Sequence, residues 1–253
     1  MQRVVSHLFV SCFSVAFFAT MVTPVSAEHP GDGSIIQFGK MHEAIGMHQD
    51  HGRVVLSDLV KRPHFYGVAA LEELEGEVTI DDGKITITGV DRNGEMKPIT
   101  SQGSEQATML VGAYVPTWVR HKVTSKVDPD QFDRFVAETA SSMGIDITNP
   151  FLFRVEGEFT DVRLHVIHGA CPIHARMTKV ELPQDKKAFE CDLPSIRGTL
   201  IGVYAKDAVG SLTHPATSTH VHILYEDPDT GAKVTAHVER IGLVEGSILM
   251  LSK

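Results

Sequence analysis

The sequence predicts an α+β protein built mostly from antiparallel or mixed β-sheets with a few helices. The chain has 253 residues, of which 42% are hydrophobic, enough for a large buried core. After about residue 150, short segments alternate apolar and polar residues, which is the pattern of half-buried strands. These segments cover residues 152–156, 159–167, 198–204, 219–225, 233–241 and 247–251. Consecutive strands without helices between them favour antiparallel pairing.

Turn and cap residues predict the elements of the first half. Apolar alternation on both sides of Asp82 and Gly83 is typical of a β-hairpin. A further strand is predicted over residues 108–115. One helix is predicted over residues 128–144, because Pro129 stands in its first turn and a glycine closes it behind an apolar face. The helix separates the two groups of strands.

The first 27 residues have the pattern of a secretory signal peptide. Arg3 precedes an uncharged apolar run over residues 8–21, and the small residues 25–27 suit signal peptidase. A run of about 14 residues is too short for a permanent membrane span. We therefore expect an exported protein, periplasmic or secreted, with a signal peptide over 1–27, one domain over 28–253, and no membrane association after cleavage.

The net charge bears on the class of binding partner, and the cysteine content bears on disulfide pairing. The chain has 23 Lys and Arg against 32 Asp and Glu, a formal net charge of −9, which argues against nucleic acid as a partner. A small-molecule substrate fits better, and a homodimer is compatible with the sequence. Cys12 would leave with the signal peptide. Cys171 and Cys191 either pair in an oxidising compartment or stay reduced and buried. Pro172 predicts a turn or loop beside Cys171.

Three of the fourteen histidines form a pattern that suits a metal. His220 and His222 project from the same face of a strand, since side chains alternate along it. A turn centred on Pro228 and Asp229 would place His237 opposite His220 and diagonal to His222. Cross-strand neighbours lie about 5 Å apart, so three imidazoles would converge on zinc or another divalent transition metal. The alternative is a polar stripe on a solvated sheet face.

Several further motifs occur in a fixed order along the chain. They are Phe38-Gly39-Lys40-Met41, Leu74-Glu75-Gly76-Glu77-Val78, Asn149-Pro150-Phe151, Gly157-Glu158-Phe159-Thr160-Asp161-Val162-Arg163, and Arg197-Gly198-Thr199-Leu200-Ile201-Gly202-Val203-Tyr204 ahead of His220-Val221-His222. This series spans most of residues 35–240 and resembles the alpha-acetolactate decarboxylase family. The resemblance implies that family's fold and a zinc ion held by His220, His222 and His237. It also implies decarboxylation of 2-acetolactate, or a related α-hydroxy-β-keto acid, to acetoin and carbon dioxide.

The resemblance also implies catalytic residues. The family's glutamate in the Gly-Glu pair corresponds to Glu77, a candidate acid or base. The family's catalytic arginine aligns with His165, and Arg163 on the same strand face is a candidate to replace it. The interval from His222 to His237 is longer than in the family, and the family's carboxylate near the C-terminus has no counterpart here.

Two other functions are compatible with these residues. The first is a non-catalytic exported protein that binds a metal or small molecule on the same fold. The second is a cupin-like metalloenzyme, because Glu226 follows His222 after three intervening residues, as in the first cupin motif. The second cupin motif, a Pro-x-Gly ahead of a histidine, is absent from the sequence.

Overall fold

A computed structural model of the protein describes residues 33–215 and 217–253, so the predicted signal peptide lies outside the described residues. Seven strands of this described part form a first antiparallel sheet, in the order β1-β7-β3-β4-β5-β6 with β2 also on β7. Its strands are β1 (Ile36–Phe38), β2 (Val54–Val55), β3 (Phe65–Leu71), β4 (Glu77–Asp81), β5 (Lys84–Val90), β6 (Met96–Ile99) and β7 (Gln106–Tyr114). A short helix, α1 (Leu56–Leu59), precedes β3.

The second sheet has six strands among the described residues, in the order β10-β11-β12-β9-β13-β8. They are β8 (Trp118–Lys122), β9 (Phe151–Val166), β10 (Phe189–Tyr204), β11 (Thr219–Glu226), β12 (Lys233–Leu243) and β13 (Ile248–Ser252). Because β10 also pairs with β9, strands β9 to β12 form a closed circuit of pairings and the sheet curls on itself. Helix α2 (Phe132–Ser142) precedes β9, and helix α3 (Pro172–Thr178) follows it.

The predicted fold class, hairpin and helix are confirmed. Strands β4 and β5 join through Asp82 and Gly83, whose φ angles of 51° and 76° suit a tight hairpin turn. Residues Pro129–Gln131 form a 3₁₀ turn that leads into α2. None of the helices in the described ranges is long and apolar enough to cross a membrane.

The prediction of two strands over 152–156 and 159–167 is wrong, because β9 runs unbroken through Gly157. A Cβ atom at Gly157 would clash with the side chain of Ser247. The glycine therefore permits a close approach within the sheet and does not end the strand.

Two further elements differ from the sequence prediction. Pro172 begins α3 and does not hold the segment in a loop, since a first-turn proline lacks only a hydrogen bond that the helix leaves unmade there. Strand β3 escaped prediction because every residue in it is buried. A strand covered on both faces shows no alternation of apolar and polar residues.

Strand β11 has two faces with different surroundings. Val221 and Ile223 are buried in the hydrophobic core enclosed by the second sheet and α2. His220 and His222 point the opposite way, because successive side chains alternate. On that side the first sheet covers them, and Nδ1 of His222 donates a hydrogen bond to the carbonyl oxygen of Val78, at 3.0 Å. The polar face of β11 is therefore buried between the two sheets.

Candidate metal centre

The three predicted metal ligands converge between the sheets. The ring centroids lie 5.3 Å apart for His220 and His222, 5.0 Å for His220 and His237, and 5.5 Å for His222 and His237. One nitrogen from each residue lies within 4.8 Å of the others, and all three residues are buried. The polar-stripe alternative is therefore wrong, since this face is not solvated. Such a cluster is compatible with a divalent metal ion.

The predicted register between β11 and β12 is wrong by two residues. His237 pairs with His222 and lies diagonal to His220. The difference arises in the turn, where the Asp227 carboxylate accepts hydrogen bonds from the backbone amides of Asp229 and Thr230. A shift of two residues keeps every side chain on its face, so the convergence of the three histidines is unaffected.

The chemistry of the cluster suits metal ligation. Burial, reinforced by the neighbouring imidazoles, lowers the pKa of His222 and of His220 to about 3 and holds the pKa of His237 well below its usual range. Neutral imidazoles keep a lone pair for a metal. Because Nδ1 of His222 donates a hydrogen bond to the Val78 carbonyl, Nε2 is the nitrogen that carries the lone pair for a metal. The histidines surround a cavity of about 10 Å³, the space of one small ion or water.

Glu77 lies beside the histidine cluster. Its Oε2 is 3.4 Å from Nε2 of His222, and its Oε1 is 3.8 Å from Nε2 of His165. The Ile167 amide donates a 3.4 Å hydrogen bond to Oε1. Desolvation nevertheless dominates and raises the pKa of Glu77 to about 8, so its carboxyl group carries a proton at neutral pH in the metal-free protein. The fold thus brings this predicted residue to the cavity.

His165 completes the wall of the cavity. It pairs with His237 across β9 and β12, and the two rings lie 4.7 Å apart. Its Nδ1 is 2.7 Å from Oε1 of Glu239. Burial alone would raise the pKa of Glu239, but hydrogen bonds from His165 and Arg176 outweigh it and lower the pKa to about 2. Glu239 is therefore an anion bound to the outer side of His165.

Arg163 lies further out than the other predicted residues. Its guanidinium binds Asp192 at 2.6 Å and Glu190 at 3.1 Å, with Nε 3.5 Å from Oε2 of Glu239. The group contacts the Glu239 side of the site and is partly exposed. Its catalytic role stays a prediction.

The sequence analysis missed His214 and Glu239. His214 is buried, with its ring 5.1 Å from that of His237 and 6.1 Å from that of His220. It lies in the irregular segment before β11, where no periodicity exists to reveal it. Glu239 did carry a signal, because it follows His237 by two residues along β12 and shares its face.

A larger cavity of about 530 Å³ adjoins the cluster. Its lining includes His214, His237 and Glu239. The first two of these residues also line the small histidine cavity, so the two spaces share a wall. The remaining walls combine apolar and charged side chains, among them Phe132, Arg134, Ile173 and Arg240. A small organic molecule can therefore be accommodated next to the histidines.

The two cysteines form no disulfide bond, and Glu226 lies outside the histidine cluster. Cys171 and Cys191 are free thiols, and Cys171 is buried at the edge of the histidine cavity. Burial raises the pKa of both thiols to about 11. Glu226, the ligand required by the cupin interpretation, is exposed at the end of β11 and pairs in register with Lys233. It does not belong to the three-histidine group.

The fold and the site together define a two-sheet protein with a buried polyhistidine centre. The sequence profile of alpha-acetolactate decarboxylase matches residues 42–249. The chain belongs to the alpha-acetolactate decarboxylase family, which displaces the cupin interpretation. A curated relative from Brevibacillus brevis, alpha-acetolactate decarboxylase, is 21% identical over 211 residues, which is 83% of this chain and 69% of the relative.

Solved structures share the fold. The alpha-acetolactate decarboxylase of Bacillus subtilis strain 168 superimposes with a TM-score of 0.63 at 18% identity, covering 87% of this chain and 85% of that one. A Staphylococcus aureus protein of unknown function, described as similar to alpha-acetolactate decarboxylase, gives a TM-score of 0.61 at 14% identity, with coverage of 86% and 84%. At these identities the comparison establishes the fold alone.

Proposed function

We propose that the protein is a zinc-dependent decarboxylase of 2-acetolactate, or of a related α-hydroxy-β-keto acid, that releases carbon dioxide and acetoin. The observation that carries the proposal is the convergence of three buried histidines beside the carboxyl group of Glu77, whose Oε2 lies 3.4 Å from Nε2 of His222. Membership of the decarboxylase family supports the reaction class. Zinc and the exact substrate belong to the proposal.

His220, His222 and His237 would hold the metal through one nitrogen each. When bound, a divalent metal supplies Lewis-acid polarisation of the keto and hydroxyl oxygens, which favours the loss of a neighbouring carboxylate. The cover of the first sheet excludes bulk water from the cluster. Substrate would enter from the larger cavity, past His214, whose side chain borders both spaces.

Glu77 would deliver the proton that replaces the departing carbon dioxide. Its carboxyl group is buried and reaches the cavity at 3.4 Å from the His222 ring. A carboxyl group in this position can protonate carbon on one face only, because the sheets enclose it. His165, which lies beside the other carboxyl oxygen of Glu77, would bind polar groups of the substrate.

The second candidate is a non-catalytic binding protein with the same fold. It is favoured by one observation: among the described residues that line the histidine cavity, a histidine stands at the position that aligns with the family's catalytic arginine, and no arginine is present. In this case the protein would bind metal and an acetolactate-like ligand without turnover.

One experiment separates the two candidates. Zinc content and acetoin formation from racemic 2-acetolactate are measured on the chain beginning at Glu28 and on a His220→Ala, His222→Ala double variant. A His48→Asn, His51→Asn variant is the matched control, because both of its histidines are exposed. Stoichiometric zinc and acetoin, lost only in the first variant, support the decarboxylase. Zinc without acetoin supports the binding protein, and absence of zinc from the unmodified chain contradicts both.

We also propose that the protein is exported. The basic, apolar and small-residue regions over residues 1–27 support this location. The N-terminal sequence of the protein recovered from the periplasm or medium should begin at Glu28. Recovery of the full-length chain from the cell interior would contradict export.

A further inference from the structure

His165 is held between two different carboxyl groups. On one side its Nδ1 lies 2.7 Å from Oε1 of Glu239, which is hydrogen-bonding distance. On the other side its Nε2 lies 3.8 Å from Oε1 of Glu77, at the wall of the histidine cavity. The ring is almost fully buried, so bulk solvent reaches neither nitrogen. The proton on this imidazole must therefore be assigned from its neighbours.

The neighbours of Glu239 identify it as an anion. Arg176 donates from Nη2 to Oε2 of Glu239 at 2.5 Å, and Nε of Arg163 lies 3.5 Å from the same oxygen. Arginine keeps its charge in proteins, and an ionised carboxylate only accepts hydrogen bonds. Nδ1 of His165 must then be the donor. In a neutral ring the other nitrogen, Nε2, carries the lone pair and directs it into the cavity.

The residues that restrain Glu239 come from a separate element. Arg176 lies in the last turn of α3, whose residue Ala175 is buried against the protein. Its second nitrogen, Nη1, binds Glu190 on β10. The guanidinium of Arg176 therefore links two strands of the second sheet, because Nη1 binds Glu190 on β10 and Nη2 binds Glu239 on β12. This fork orients the Glu239 carboxylate toward His165.

We propose that Glu239 and Arg176 are positioning residues that fix His165 in its Nδ1–H form, so that Nε2 accepts a hydrogen bond from the hydroxyl group of the substrate. The inference deepens the proposed function and rests on it for the identity of the substrate. It gives helix α3, whose Ile173 lines the larger cavity, a second role in orienting His165. Neither Glu239 nor Arg176 lines the small histidine cavity.

The test combines a structural and a kinetic readout on the zinc-loaded chain beginning at Glu28. Long-range ¹H–¹⁵N spectra of ¹⁵N-histidine-labelled protein report which ring nitrogen carries the hydrogen, and His165→Asn identifies the signals. The Glu239 carboxylate can only accept a hydrogen bond from Nδ1 of His165, whereas the amide in Glu239→Gln can either donate or accept one. We expect mixed forms of His165 in this variant and kcat about 10- to 100-fold lower, with little change in KM. Glu239→Asp should recover part of the loss.

Two further variants separate positioning from general stabilisation. Arg176→Gln, at a half-exposed side chain, should lower kcat less than Glu239→Gln does and should leave zinc content unchanged. Glu158→Gln is the matched control, because Glu158 on β9 pairs with the exposed Arg197 and with neither Arg176 nor His165. An unchanged Nδ1–H form in Glu239→Gln, or an equal loss of kcat in Glu158→Gln, overturns the proposal. If the unmodified protein forms no acetoin, the proposed function fails, whereas the spectra still decide the role of Glu239.

Discussion

The two carboxyl groups on either side of His165 differ in their surroundings, in their pKa and in their distance from the ring, which is 3.8 Å for Glu77 and 2.7 Å for Glu239. Glu77 comes from the first sheet, is almost fully enclosed and has its pKa raised to about 8 by desolvation. Glu239 comes from the second sheet, borders the larger cavity and has its pKa lowered to about 2 despite partial burial. The inner group has no lysine or arginine partner among the described residues, whereas the outer group binds Arg176.

The difference teaches that the partner, and not burial alone, decides whether a buried carboxyl group keeps its proton. Desolvation acts in the same direction on both groups. Hydrogen bonds and an arginine reverse it on the outer side only. One imidazole therefore lies between an acid and an anion, an arrangement suited to proton transfer on one side and orientation on the other.

The largest expected effect is on turnover when the inner group is changed. Glu77→Gln keeps the shape of the side chain and removes the transferable proton, so kcat for acetoin formation should fall by about 10²- to 10⁴-fold. Zinc content should stay the same. The measurement is a steady-state assay beside metal analysis, with Glu75→Gln, at a more exposed glutamate two residues away, as the control. Full activity in Glu77→Gln would contradict a role as proton donor.

The next effect is on stability, where the two glutamates should behave oppositely in the metal-free protein. The unfolded pKa of Glu239 is higher than its folded pKa, so its stabilisation is present above pH 4.5 and lost as pH falls toward 2. Glu239→Gln should lower the free energy of unfolding at pH 7 by about 1.5–3 kcal/mol. The folded pKa of Glu77 is higher than its unfolded pKa, so Glu77 increasingly destabilises the folded protein as pH rises from 4.5 to 8. Glu77→Gln should stabilise the protein by roughly 1–3 kcal/mol at pH 8 and hardly at pH 5.

Urea unfolding of both variants at pH 5, 7 and 8 measures these changes. The same sign for both substitutions at pH 8 would show that the two carboxyl groups do not differ as described. A Glu77→Gln effect that is independent of pH would show that Glu77 ionises normally in the folded protein.

The smallest effect is expected at a carboxyl group that lines neither the histidine cavity nor the larger cavity. Glu226 is exposed at the end of β11. Glu226→Gln should change the free energy of unfolding by no more than about 0.5 kcal/mol and leave zinc content and kcat unaltered. Loss of zinc in this variant would restore Glu226 as a ligand and contradict the three-histidine centre.

Much of the site followed from local periodicity. Alternation along residues 219–225 placed His220 and His222 on one face, and this placement survived a register error of two residues. The error itself came from the turn, whose centre lies between Asp229 and Thr230, one residue later than predicted. The hydrogen bonds of the Asp227 carboxylate occur in this turn, and no periodic signal reports such contacts. The positions of Glu77 and His165 came from the family resemblance, and the fold brings both to the cavity.

The sequence by itself determined the local features of this protein: its antiparallel strands, the hairpin at Asp82 and Gly83, and the shared face of two histidines. These depend on residues close together along the chain. Only the tertiary structure decided that Glu77 of the first sheet meets His222 of the second, that His214 borders both cavities, and that Arg176 orients Glu239. Such contacts depend on how sheets and helices pack, and packing joins residues whose separation in sequence carries no signal.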